Sequence, residues 1–275
     1  MGRGRSKVGG GGGGGGQQIQ DFPEAFAPGK DFQAVNGVNH ATRTVSRMTQ
    51  AEWDQFAMPM NNGVTSADEN AMMRQFSSIP NSQGALVTGY VRTQNAFAIN
   101  AALYDPANAG KTDAQIFKRR ADRETVKALD KSINNNATQN DGAYTRFSSP
   151  NAVQATLGLT NQQMAILRQA PNMNASQLSQ LNAALRGSVS HSKAYTSTSA
   201  NRSLNAFSNP NAPQSRGFVF ERRINVPKGT KAYAPRRNAQ ESEVIFGRGM
   251  RTVLNGVSVS ADGHIVLHES FAGYN

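Results

Sequence analysis

The apolar residues of this chain change their spacing once, and that change constrains the fold more than any single motif. In the first two-thirds of the sequence they recur at helical intervals. Val126, Leu129 and Ile133 stand at i, i+3 and i+7, the stripe of a helix with one face on a core. Leu178, Leu181 and Leu185 share one face of a second helix, which is expected to stop at Gly187. Later the period becomes two. In GFVFERRINVP, Phe218, Phe220, Ile224 and Val226 share one side of an expected strand, with Arg222 interrupting. Asp262-Gly263 separates two alternating segments, the signal of a tight hairpin. Helices first and strands after give an α+β chain with an antiparallel-rich sheet, not a doubly wound one.

Local signals refine this order. Thr49 with Glu52, Thr112 with Gln115 and Thr160 with Gln163 have the spacing of capping boxes, each opening a helix. The segment from Gln83 to Leu103 also reads as helical, and Pro171 follows the end of the helix capped by Thr160. Trp53, the sole tryptophan, is most simply a packing residue. The start is different: MGRGRSKV runs into unbroken glycine up to Gly16. Polyglycine has no side chain to bury and loses the most backbone entropy on ordering, so residues 1–16 are expected to be a disordered basic arm. Arg3, Arg5 and Lys7 suit contacts with phosphates. The expected organisation is this arm, a polar extension with short helices over 17–80, and one main domain over 81–275.

Several function classes fall away. The chain has no cysteine, which removes disulfides, thiolate metal sites and a cysteine nucleophile. No apolar run reaches the roughly 20 residues that cross a bilayer, and no apolar segment follows the basic start, so a soluble protein is expected. The net charge of +11 favours polyanions or an anionic substrate such as a dinucleotide. AGKT at 109–112 is not a phosphate loop, because Asp105 stands where the pattern needs glycine. His264 and His268 share a strand face at i, i+4, but no third ligand accompanies them; they read as strand-surface histidines, and no metal is expected.

Two segments remain, AYTSTSAN at 194–201 and ESEV at 241–244. Glutamates at i and i+2 on a strand point to one face, where their charges repel and raise the pKa of one unless a cation or ligand compensates. Taken with AYTRF at 143–147, these segments resemble the arginine–serine–glutamate class of ADP-ribosyltransferase domains found in bacterial and phage exoenzymes. Arg146 matches the arginine that closes the family's first core strand. Tyr195, Thr196, Ser197, Thr198 and Ser199 match its aromatic followed by Ser-Thr-Ser, and Glu241, Ser242 and Glu243 match its Glu-x-Glu. RINVPKGTKAYA, ESEVIFGRG and YVRTQNAFAINAALY resemble the family's linking segments, so the similarity runs over roughly 85–270. The chain departs from the pattern at Phe147, where glycine is common, and at Asn238, where an aromatic is frequent.

The resemblance implies a β-sandwich-like core and a reaction that cleaves NAD, releases nicotinamide and transfers ADP-ribose to a protein. It also implies roles. Arg146 would hold the NAD phosphates, with Arg92 a rival for that task. Ser197 would fix Glu243 and shape the pocket, with Tyr195, Thr198 and Ser199 beside it in the NAD site. Glu243 would stabilise the cationic ribose, and Glu241 would orient the nucleophile and take its proton. Relatives that modify asparagine often carry glutamine at that position, so Glu241 implies arginine as the acceptor. The implied setting is host cytoplasm, with carriage in a virion as an option. The competing functions are an NAD glycohydrolase, and a virion structural or nucleic-acid-binding protein that uses the basic arm.

Overall fold

The computed structural model describes residues 50–73, 94–200, 217–235 and 242–275. The glycine arm, Thr49, Arg92, Asn238 and Glu241 lie outside them. Helices α1 (Gln50–Ala57), α2 (Ser66–Met73), α3 (Gln94–Tyr104), α4 (Asp113–Ile116) and α5 (Arg120–Asn135) come first. Strand β1 (Gly142–Ser148) then enters ahead of α6 (Pro150–Leu157), α7 (Asn161–Leu167) and α8 (Ala175–Leu185). The remaining strands are β2 (Val189–Ser192), β3 (Thr196–Ser199), β4 (Phe220–Val226), β5 (Ala232–Tyr233), β6 (Glu243–Phe246), β7 (Met250–Val259) and β8 (Ile265–Tyr274).

The capping chemistry sets several helix starts. Thr112 with Gln115 and Thr160 with Gln163 both form reciprocal capping boxes, the first on the single turn of α4 and the second on α7. Asn174 and Gln177 form a third on α8. Helix α6 is only eight residues long, with Val153 and Leu157 on its buried face. It starts because the Ser149 hydroxyl accepts from the Ala152 amide and Pro150 holds the first helical φ. Phe218 falls outside β4, which begins at Phe220.

The strands form one sheet in the order β2-β7-β8-β4-β1-β3-β6-β5, antiparallel except for β4 against β8. β1 joins β3 through one opposed pair, Thr145 with Ser199, whereas β1 pairs β4 along its whole length. The sheet therefore consists of a five-strand half and a three-strand half that meet at β1 and β3. Their facing sides enclose one core: Tyr144, Ile224, Val226 and Met250 from the first half, Val244, Phe246 and Ala232 from the second. The Tyr144 and Phe246 rings meet edge to face with centroids 5.1 Å apart. This is the sandwich-like core that the resemblance implied.

Two further clusters cover the halves. Val153, Leu157, Met164, Leu167, Leu181 and Leu185 of α6–α8 pack on Phe220, Leu254, Ile265 and Leu267. Val126, Leu129 and Ile133 of α5 pack on Tyr195, Tyr233 and Ile245. The region expected as a polar extension joins this body. Trp53 of α1 is fully buried in the central cluster and donates from its indole to the Pro235 carbonyl at 2.7 Å. Met72 of α2 belongs to the α5 cluster. Composition hid this because a few large side chains in a polar stretch carry the packing.

Candidate active site

β3 is the hub of the site because it lies between β1 and β6 in the sheet. Its register sets Ser197 opposite Ile245 and Ser199 opposite Glu243. Ser197 and Glu243 are thus diagonal neighbours on one face. The Ser197 hydroxyl donates to Glu243 Oε1 at 2.7 Å. From the other side, Arg146 donates from Nη1 to the Ser197 carbonyl at 2.8 Å. Three residues far apart in sequence are linked through one serine, whose hydroxyl and carbonyl serve different partners. Glu243 is buried, while Arg146 and Ser197 are partly exposed.

The neighbouring side chains are tied into the scaffold. Thr198 donates to the Val244 carbonyl at 2.8 Å, and Ser199 is buried. The Tyr195 hydroxyl donates to Asp130 Oδ1 at 2.6 Å and lies 3.2 Å from the Val126 carbonyl, which docks the Ser-Thr-Ser strand on α5. Arg248 lies over the Tyr195 ring, 5.7 Å from its centroid, and also binds Asp113 and Asp130. Burial opposes the Arg248 charge, but these carboxylates outweigh it and hold its pKa above the usual arginine value.

The backbone ahead of Glu243 differs from the expectation. The strand begins at Glu243, and Ser242 has a φ of 47°, left-handed and the sole non-glycine case among the described residues. The Ser242 carbonyl accepts from the Ala200 amide at 2.8 Å. Residues 241 and 243 share a face only where the backbone at 242 is extended, so the pleat does not fix the direction of Glu241.

A cavity of about 100 Å³ opens beside Arg146, lined also by Tyr104, Ser148, Thr156, Ser192, Thr196 and Arg222. The Arg146 guanidinium and several hydroxyls there are suited to phosphate oxygens, whereas Arg222 is committed to Glu269. Arg222 was visible in the sequence only as a charge interrupting an apolar face. In the structure it is buried and bound by Glu269, with 2.6 Å contacts to each carboxylate oxygen. Burial disfavours the cation, yet the Glu269 charge and hydrogen bonds overcome this and raise the Arg222 pKa. No motif announced Glu269, Tyr104 or Ser192, because each gains its place only through tertiary contact.

His268 stands partly exposed on β8 as expected, whereas His264 differs from the expectation. His264 precedes β8 and is buried, its ring meeting Phe147 at a centroid distance of 4.8 Å. His268 shares a 2.8 Å hydrogen bond with the Ser258 hydroxyl. Glu221, Asp262 and His264 bring ligand atoms within 4.8 Å of one another, but Arg223 binds Glu221 and Asp262 lies 3.2 Å from His264 Nδ1.

Residues 67–269 match the family model described as ADP-ribosyltransferase exoenzyme. The chain belongs to this family. A search of curated proteins finds no match. Among solved structures, the transferase is similar to C3stau2 from S. aureus, determined with NAD. The identity is 19%, the match covers 81% of this chain and 94% of that one, and the TM-score is 0.57. It is also similar to the Clostridium limosum C3 exoenzyme, at 20% identity, 82% and 92% coverage and a TM-score of 0.53. An ADP-ribosyltransferase from Clostridium botulinum is a third, at 18% identity, 83% and 99% coverage and a TM-score of 0.52. At these identities the structures establish the shared fold. The substrate of the transferase is NAD. No helix among the described residues is long and apolar enough to cross a membrane.

Proposed function

We propose that this transferase moves ADP-ribose from NAD to an arginine side chain of a protein, with Arg146, Ser197, Glu241 and Glu243 as the working residues. The observation that carries the reading is the hydrogen-bonded series Arg146–Ser197–Glu243 at the junction of the two half-sheets. Arg146 presents a planar fork of donors suited to the diphosphate. As the bond from the anomeric carbon to nicotinamide breaks, its electron pair leaves with the nicotinamide nitrogen and positive charge builds on the ribose. Glu243, held by Ser197, supplies the matching negative charge. A guanidinium nitrogen of the acceptor then bonds to the anomeric carbon, and its proton passes to Glu241. An acceptor guanidinium is almost fully protonated near neutral pH, so a carboxylate at 241 gives the proton a destination.

The two glutamates are distinguished by substitution. Glu243→Gln is expected to abolish both NAD hydrolysis and transfer. Glu241→Gln is expected to lose transfer but keep measurable hydrolysis, because Glu241 acts on the acceptor. Labelled NAD with a protein acceptor, followed by mapping of the labelled residue, reads both. Near-full activity in Glu243→Gln overturns the site. Label on a residue other than arginine overturns the acceptor, and release of free ADP-ribose alone identifies water as the nucleophile.

A further inference from the structure

Arg146 has a second arginine directly beside it. The β1–β4 register sets Arg146 opposite Arg222, so both side chains leave the same face of neighbouring strands. Opposed like charges repel, more strongly where water is scarce. The two side chains diverge. Arg222 runs toward β8, β7 and β2: Nε and Nη2 bind the two Glu269 oxygens, and Nη2 also reaches Ser190 Oγ at 3.0 Å and Thr252 Oγ1 at 3.4 Å. The Thr252 hydroxyl donates to the same carboxylate. Arg146 runs the other way, to the Ser197 carbonyl on β3.

Glu269 is 0% exposed, and its β-ladder partner is Ile224, two residues along β4 from Arg222. A carboxylate this deep needs a cation. With strands ~4.8 Å apart, β8 lies about 10 Å from β1 across β4, a gap that an arginine and a glutamate span together. Arg146, opposite Arg222 in the register, is therefore a cation within that reach among the described residues if Arg222 were absent.

We propose that Arg222 is a positioning residue: by saturating Glu269 it prevents that carboxylate from drawing Arg146 across β4, and so holds Arg146 at the Ser197 carbonyl on β3, where the diphosphate reading places it. This rests on the reading that Arg146 holds the diphosphate. Arg222 acts through Glu269 and Arg146, without itself touching NAD.

The test is a charge-removal series titrated calorimetrically with a non-hydrolysable NAD analogue, with the melting temperature of each variant recorded. Arg222→Met leaves Glu269 to take Arg146, and affinity is expected to fall by about tenfold or more, the loss of a charge-assisted contact. Arg222→Met with Glu269→Met removes the competing carboxylate as well, and affinity is expected to return to within about threefold of the parent; apolar replacement of a whole buried pair usually preserves folding. Arg222→Lys keeps a cation on Glu269 and is expected to retain most of the affinity. A merely structural role for Arg222 would lower the melting temperature without this rescue. Parent-like binding by Arg222→Met overturns the proposal. So does weak binding by the folded double variant, which decides the matter even if the single variant does not fold. Arg146→Ala is measured alongside: parent-like binding there removes the diphosphate reading itself, whereas weak binding there without rescue in the double variant removes only the role of Arg222.

Discussion

Arg146 combines a structural contact on β3 with the proposed hold on NAD. It is anchored by one Nη donor on the Ser197 carbonyl, and it lines the cavity shared with Arg222. Charge-assisted hydrogen bonds contribute ~1.5–3 kcal/mol, so Arg146→Ala is expected to weaken NAD binding by about tenfold or more. Arg146→Lys is expected to restore only part of this, because an ammonium keeps the charge but loses the planar fork. Calorimetric titration of both variants decides it, and equal affinity in parent and Arg146→Ala would sink the assignment. At the same scale, Ser242 accepts a left-handed backbone that costs a residue with a Cβ roughly 1–2 kcal/mol. Packing of the buried turn and the Ala200 amide on its carbonyl offset that cost.

Among elements, α5 connects the N-terminal helices to the Ser-Thr-Ser strand. Its inner face packs on Tyr195 and Ile245, and its outer edge reaches α2. There Thr125 donates to the Ala71 carbonyl at 3.0 Å, and Lys131 pairs with Asp68 at 2.8 Å. Lys131, with help from Thr65, draws the Asp68 pKa down to about 2, although partial burial opposes this. The folded state therefore binds the Asp68 proton more weakly than the unfolded chain does. The resulting stabilisation is present above the ordinary carboxylate pKa and is lost as pH falls through the folded value near 2. Lys131 is about half exposed, so screening limits the pair to below about 1 kcal/mol. Asp68→Asn is expected to lower stability by that small amount at neutral pH, with the difference vanishing near pH 2. Denaturant unfolding of parent and variant across pH measures it; a difference that grows toward acid would contradict the sign.

For the whole molecule, composition sets the glycine-rich start apart from the rest of the chain. Ten of residues 1–16 are glycine, which leaves few side chains there to bury. Their deletion is expected to leave the melting temperature and NAD turnover unchanged, and a large drop in melting temperature would show that the start packs on the domain. The sequence by itself determined the class of the fold, the stripe of α5, two capping boxes, the β7–β8 hairpin and the residue types of Arg146, Ser197 and Glu243. These rest on local periodicity and short motifs, which the backbone expresses without reference to the rest of the chain. Tertiary structure alone decided that α1 and α2 join the core and that His264 is buried against Phe147. It also decided that Ser242 turns before β6, and that Arg222 is bound to Glu269. Each of these depends on which strands become neighbours. β4 pairs in parallel with β8 across a long connection, and no local pattern encodes such a partner.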